Sequence, residues 1–193
     1  KRPRINPLIV HYYNLETLKK DCYINANFMK LFKKFSPGPI TFILKLKKKS
    51  LISKNVTNKK KTLAVRFPRH PVARLLLKKI NFPLAAPSAN ISTSISPVMA
   101  NDVREEFGNK IKYILDGGRS QIGLESTIID LVKKPKIVRL GGLKLENINS
   151  ILNSNLKYKS NNNLKFPGQN KLHYSPGIPI KLNIKHPKNN SAY

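Results

Sequence analysis

The chain has 193 residues, a hydrophobic fraction of 40% and one cysteine, Cys22. That is enough apolar mass for one domain with a tail or small appendage, and it excludes an internal disulfide framework or a multi-cysteine zinc site. Lysine and arginine number 37 against 9 acidic residues, a formal charge of +28, which points either to a polyanionic partner or to a diffuse compositional bias towards lysine.

The opening KRPRINPLIVH lacks the apolar segment of a signal peptide, and no run approaches the roughly 18–20 apolar residues of a membrane span. A cytoplasmic protein with no membrane partner is expected. PLIVHYY (7–13) reads as a strand. Residues 15–35 read as one helix, with Phe28, Leu31, Phe32 and Phe35 spaced to face a core, and SPGP (36–39) stops it. ITFILKL (40–46) and TLAVRF (62–67) alternate as strands, and the lysine runs KLKKKS (45–50) and NKKKT (58–62) between them read as solvated loop flanks. No aromatic residue interleaves with those lysines along the chain, so they offer no stacking platform for a single strand.

HPVARLLLKKI (70–80) predicts a helix with proline in its first turn, and FPLAAP (82–87) a short strand. The segment AAPSANISTSISP (85–97) is almost free of charge and rich in hydroxyls. Ser96 and Pro97 look like an N-cap and N1 pair opening a helix whose Met99, Val103 and Phe107 face the core. Asp102, Glu105 and Glu106 on that helix read as solvated surface charge. KYILDGG (112–118), STIIDLV (126–132) and KIVRLGG (136–142) follow as strands, and KLENINSILN (144–153) as a helix. Strands and helices alternate without the rhythm of a doubly wound sheet, so the expected fold is α/β (α+β), a twisted mixed sheet with surrounding helices. From residue 154 the texture turns Asn-, Lys- and Pro-rich, which divides the chain into a domain over 1–153 and a linker or tail over 154–193.

The two commonest phosphate cradles, G-x-x-x-x-G-K-[ST] and G-x-G-x-x-G, are absent. His11, His70, His173 and His186 have no metal-type spacing. What remains is a set of polar residues at the ends of apolar strands: Arg2, Asn6, His11, Thr62, Arg66, Ser88, Asn90, the Ser126–Thr127 pair and Arg139. Strand ends are where open α/β sheets place ligands. Arginine forks, hydroxyls and backbone amides suit phosphate and carboxylate groups, so the set predicts a small anionic ligand without naming it.

KRPRINPLIVH, FSPGPITFIL, LAVRFPRHPVA, PLAAPSANISTSISP, LDGG, IGLESTIIDL and IVRLGG occur in that order. Together they resemble the threonylcarbamoyl-AMP synthase family, which has the YrdC-like fold; the resemblance covers roughly residues 1–142. It implies a basic concave cleft and a reaction joining L-threonine, bicarbonate and ATP into threonylcarbamoyl-AMP and pyrophosphate, for modification of tRNA. By the same resemblance, His11, Arg66 and Ser126 would hold threonine. Arg2, Asn6, Thr62, Ser88, Ser96 and Arg139 would contact ATP, with Tyr174 closing over it and Asn90 in a secondary role. No catalytic protein base or protein-held metal is implied; Mg²⁺ would arrive on the triphosphate. Downstream partners would be tRNA or tRNA-modification proteins.

FPGQNKLHYSP (166–176) is similar to the linker of two-domain members, with Phe166 where serine is usual. Family members carry a T-E-T-x-Y-G-L-type segment before K-x-R, and this chain begins inside K-x-R. The expectation is therefore a chain lacking the first strand and helix and a C-terminal domain, with weak or no synthesis. Two rival readings follow from the same residues: a non-catalytic module binding structured RNA, and a carbamoyl-transfer domain of the hydrogenase-maturation type, which the single cysteine disfavours.

Overall fold

A computed structural model describes residues 7–91 and 95–159. Its elements in chain order are β1 (Ile9–His11), α1 (Leu15–Asp21), α2 (Ala26–Phe35), β2 (Ile40–Lys45), α3 (Lys54–Thr57), β3 (Thr62–Arg66), α4 (Pro71–Ile80), β4 (Leu84–Ala86), α5 (Ala100–Phe107), β5 (Thr127–Asp130), β6 (Lys136–Arg139) and α6 (Leu145–Leu152). The six strands form one sheet in the order β4-β1-β3-β2-β5-β6. Pairing is parallel for β1–β3 and β2–β5 and antiparallel for β1–β4, β2–β3 and β5–β6. The expected mixed α/β sheet is what the chain forms.

One face of the sheet is buried against helices. Val10, Tyr12, Phe42, Leu44, Leu63, Val65 and Ile129 pack with Leu18 of α1, Phe28 and Leu31 of α2, and Ile148 of α6. Phe28 meets Phe42 edge-on at 4.9 Å, and Phe32 meets Phe67 at 4.8 Å. Each such side chain contributes on the order of 1.5–3 kcal/mol by leaving water. The aromatic stripe of α2 is core, as its spacing requires. A smaller patch, Ile43, Ala64, Ile128 and Val138 with Ile9 and Val132, lies on the opposite face.

Several sequence expectations need correction. Residues 15–35 are two helices. Cys22 leaves α1 in extended conformation and bridges Leu46, while Asn25 caps α2 by accepting from the Phe28 amide and ties the corner to the Leu131 carbonyl at 2.7 Å. The lysine excursion after β2 contains the short helix α3. It also meets an aromatic: the Tyr23 ring lies 5.5 Å from Lys45 Nζ and 5.7 Å from Lys47 Nζ. No strand forms over 112–118, where Tyr113 and Leu115 are exposed and no described strand pairs with them.

Ser96 does not cap a helix. The helix begins at Ala100 because Asp102 reaches back to accept from the Val98 and Met99 amides at 2.8 and 3.0 Å. Those bonds hold the Asp102 carboxyl below its usual range, so Asp102 is a cap and not idle surface charge. Glu106 likewise has a task, accepting from the Ile91 amide at 2.6 Å. No residue of α5 is buried, so Met99, Val103 and Phe107 do not enter the core. Past α6, Asn149 bonds both the amide and the carbonyl of Leu156 and holds the chain to the domain that far.

Within the main core sits one carboxylate. Asp21 accepts from the Tyr12 hydroxyl at 2.8 Å and the Ser50 hydroxyl at 2.6 Å. Burial, and then the bond to Asp21, push the Tyr12 hydroxyl far above the usual tyrosine range. Next to it, burial and the Asp21 charge push the Cys22 thiol up to about 12, which makes Cys22 a packing group and not a nucleophile. Tyr12→Phe strips a donor from a buried carboxylate and is expected to cost about 1–3 kcal/mol in urea unfolding. The same change in an Asp21→Asn background should cost clearly less; equal costs would show that the hydroxyl serves something other than Asp21.

Candidate functional site

Side chains two apart along a strand share a face. His11 follows Ile9, Arg66 follows Ala64, Thr41 precedes Ile43 and Ser126 precedes Ile128, so all four leave on the face away from α2 and α6. Register then brings them to one end: His11 lies opposite Arg66, Arg66 opposite Thr41, Thr41 opposite Ile128, and Ile128 opposite Arg139.

The right half of this cluster is a closed knot. Ser126 and Thr41 share a hydroxyl–hydroxyl bond of 2.7 Å, with both side chains fully buried. Arg139 folds over the same turn, donating to the Ser126 carbonyl from Nη2 at 2.8 Å and from Nε at 3.1 Å, and to Ser126 Oγ at 3.2 Å. Its Nη2 also lies 3.5 Å from Glu125 Oε2. The other oxygen of Glu125 accepts from Ser96 Oγ at 3.2 Å. A Cβ on Gly141 would fall 2.2 Å from the Glu125 carbonyl oxygen and 2.6 Å from the Thr127 nitrogen. Only glycine lets the chain leaving β6 lie against the chain entering β5, and the Gly142 amide then bonds the Glu125 carbonyl at 2.8 Å.

The left half holds a cation and a neutral imidazole. Arg66 Nε donates to the Gly38 carbonyl at 3.3 Å, and its terminal nitrogens hold no hydrogen bond among the described residues. Burial draws its pKa below the usual range, with Glu125 opposing and Arg139 adding to the shift. Arginine nonetheless stays charged at any working pH. His11 is pushed down to about 4 by burial and then by the Arg66 charge, partly offset by backbone bonds at Leu84 and Ile9 and by Glu125. Near neutral pH it is uncharged. Its Nδ1 is buried without a hydrogen-bond partner among the described residues, so an acceptor or donor is ready for something else.

A cavity of about 930 Å³ opens over this end of the sheet, lined by His11, Arg66, Arg69, His70, Arg119 and the Gly117–Gly118 turn, with apolar walls from α4. The turn is held by His70 Nε2 against the Gly117 carbonyl at 3.0 Å. No metal-binding group of three or more His, Cys, Asp or Glu occurs among the described residues.

Of the residues singled out from sequence, His11, Arg66, Ser126 and Arg139 come together, and Ser96 joins them through Glu125. Thr62 stands on the same face of β3 as Arg66 but opposite Lys45, about 13 Å along the strand. Ser88 is exposed beyond the end of β4 that pairs with Ile9, also away from His11. Asn90 is half-buried in the following loop. Arg2, Asn6 and Tyr174 lie outside the described residues. Sequence reasoning missed Glu125 altogether; its signal was its place directly before the Ser126–Thr127 pair in a chain with only 9 acidic residues.

Residues 1–141 match the model of the Sua5, YciO and YrdC family, described under telomere recombination. The threonylcarbamoyl-AMP synthase of Pyrococcus abyssi is 43% identical over 155 residues, covering 78% of this chain and 44% of that protein. The synthase of Schizosaccharomyces pombe is 40% identical over 172 residues, covering 77% of this chain and 42% of its own length. Among solved structures, P. abyssi Sua5 complexed with L-threonine superposes with a TM-score of 0.84 at 39% identity, over 90% of this chain and 53% of that one. The chain thus spans about half, or less, of the length of these three relatives. With a family model that covers most of its length and a sheet of the same architecture, the chain belongs to the Sua5/YciO/YrdC family.

Proposed function

We propose that this chain carries the substrate-binding domain of a threonylcarbamoyl-AMP synthase, joining L-threonine, bicarbonate and ATP into threonylcarbamoyl-AMP with release of pyrophosphate. The observation that carries the reading is the meeting of Arg66, neutral His11, Ser126 and Arg139 at one sheet end, where His11 and Arg66 line a cavity of about 930 Å³, near the upper end of the roughly 300–1,000 Å³ of small-molecule sites. Relatives with the synthase name, and a neighbour whose crystal contains L-threonine, support it.

In this reading Arg66 takes the threonine carboxylate with its open fork, and His11 and Ser126 complete the amino-acid subsite. Ser96 and Arg139 adjoin them on the side where ATP phosphates would lie, with Thr62, Ser88, Arg2, Asn6 and Tyr174 further along the nucleotide. A carbamate attacking an α-phosphate is an anion approaching an anion. Fixed cations and oriented hydroxyls lower that barrier without a strong protein base. A Mg²⁺ ion, where the reaction uses one, would arrive on the triphosphate. The product would feed tRNA modification in the cytoplasm; no described helix is long and apolar enough to cross a membrane.

Pyrophosphate release from ATP should require both threonine and bicarbonate, and Arg66→Ala should weaken threonine binding by about 1.5–3 kcal/mol in titration calorimetry while affecting ATP far less. Release that ignores threonine would sink the assignment.

The depressed His11 pKa gives a second expectation. Because the folded chain disfavours the charged ring, His11 contributes stability above pH 6.5 that is lost as the pH falls from 6.5 towards about 4. The loss attributable to His11 should reach at most roughly 3 kcal/mol. Urea unfolding of His11→Asn across that window should show a shallower decline than the unsubstituted chain; parallel declines would contradict the burial of a neutral ring.

A further inference from the structure

Glu125 is placed with more care than a surface carboxylate needs. Its backbone carbonyl is fixed by the Gly142 amide at 2.8 Å and by the missing Cβ of Gly141, and its side chain stands between Ser96 and Arg139. Neither side-chain contact is tight. At 3.2 and 3.5 Å they exceed the roughly 2.7–2.9 Å of a good charge-assisted pair, and the Arg139 fork is already spent on the Ser126 carbonyl. A carboxylate offers about four lone-pair sites, so two long bonds leave it acceptor capacity. The side chain is 23% exposed, enough to meet a ligand. Its charge is also felt at both Arg66 and His11.

Arg66 and Glu125 therefore set a cation and an anion at the same end of the sheet, Arg66 opposite Thr41 and Glu125 directly before Ser126, whose hydroxyl bonds Thr41. That is the complement of a zwitterion: a carboxylate for the guanidinium and an ammonium for the carboxylate. We propose that Glu125 is a specificity-determining residue that accepts hydrogen bonds from the α-ammonium group of the amino-acid substrate, while Arg66 takes its α-carboxylate. This rests on the threonine reading above and adds to it a residue and a selection rule. Carboxylic acids that lack an α-amino group would be rejected because they leave the Glu125 charge without its ammonium partner.

The test is titration calorimetry on the intact protein with L-threonine and with 2,3-dihydroxybutyrate, which replaces the amine by a hydroxyl. The unsubstituted protein should prefer threonine by more than tenfold. Glu125→Gln should weaken threonine by between about tenfold and a hundredfold and leave the hydroxy acid within about threefold, so that discrimination collapses. Glu125→Asp, which keeps the charge but withdraws it by one methylene, should retain discrimination with an intermediate loss, and serves if the Gln variant fails to fold. Preserved discrimination in Glu125→Gln, or an equal loss of both ligands, would overturn the proposal; the latter would mean that Glu125 acts only by holding Arg139 and Ser96. A protein that binds neither ligand before any substitution would instead remove the threonine reading itself, and this proposal with it.

Discussion

Because successive side chains of a strand leave on opposite faces, the sheet can give one face to Phe42, Val65 and Ile129 only by sending Thr41, Arg66 and Ser126 to the other. The helices α1, α2 and α6 cover the first face, so the polar set is left on the second with only a small apolar patch beneath it. A slip of one residue in β3 would exchange its two sets and turn the Arg66 guanidinium towards the helices. The Phe28–Phe42 contact and the site are in this sense one decision, made by register.

Register alone places the side chains; the loops tune them. The turn before β5 is held from three directions: Thr41 from the neighbouring strand, Arg139 from the end of β6, and the Thr127 hydroxyl, which donates to the Leu143 carbonyl at 2.7 Å and accepts from the Leu143 amide at 3.1 Å. Every contact is made by a buried or half-buried group, where hydrogen bonds are poorly contested by water. The outcome is a pair of arginines with different freedoms. Arg139 is committed to the protein, whereas the terminal nitrogens of Arg66 hold no hydrogen bond among the described residues.

Much of this was legible in the chain. Apolar alternation located β2, β3 and β5 to within a residue or two and the start of β6, whose end was read three residues too far, and polar residues at the strand ends pointed to the cluster. What failed did so for physical reasons. Ser96–Pro97 has the local chemistry of a helix start, but Asp102, six residues after Ser96, offers a charged cap and outcompetes a hydroxyl. Tyr113 and Leu115 alternate like strand residues, but alternation describes a surface to be covered and is silent about whether a partner strand lies beside it. The long helix over 15–35 broke because Asn25 is a better cap than interior residue. Glu125 was hidden by habit: a single glutamate reads as solvent-facing until a fold shows that Ser96 and Arg139, 29 and 14 residues away, converge on it.

Gly141 carries a consequence for how the pocket meets a guest. Since its α-carbon lies against the Glu125–Thr127 backbone with no room for a methyl group, these two stretches of chain behave as a single stiff plate, and only side chains beyond it retain rotational choice. A molecule settling there has little main-chain disorder to quench, so the entropic toll of capture is small and falls on a few torsions of Glu125 and Arg66. The lock is shaped before the key arrives, and the absence of one methyl group is what shapes it.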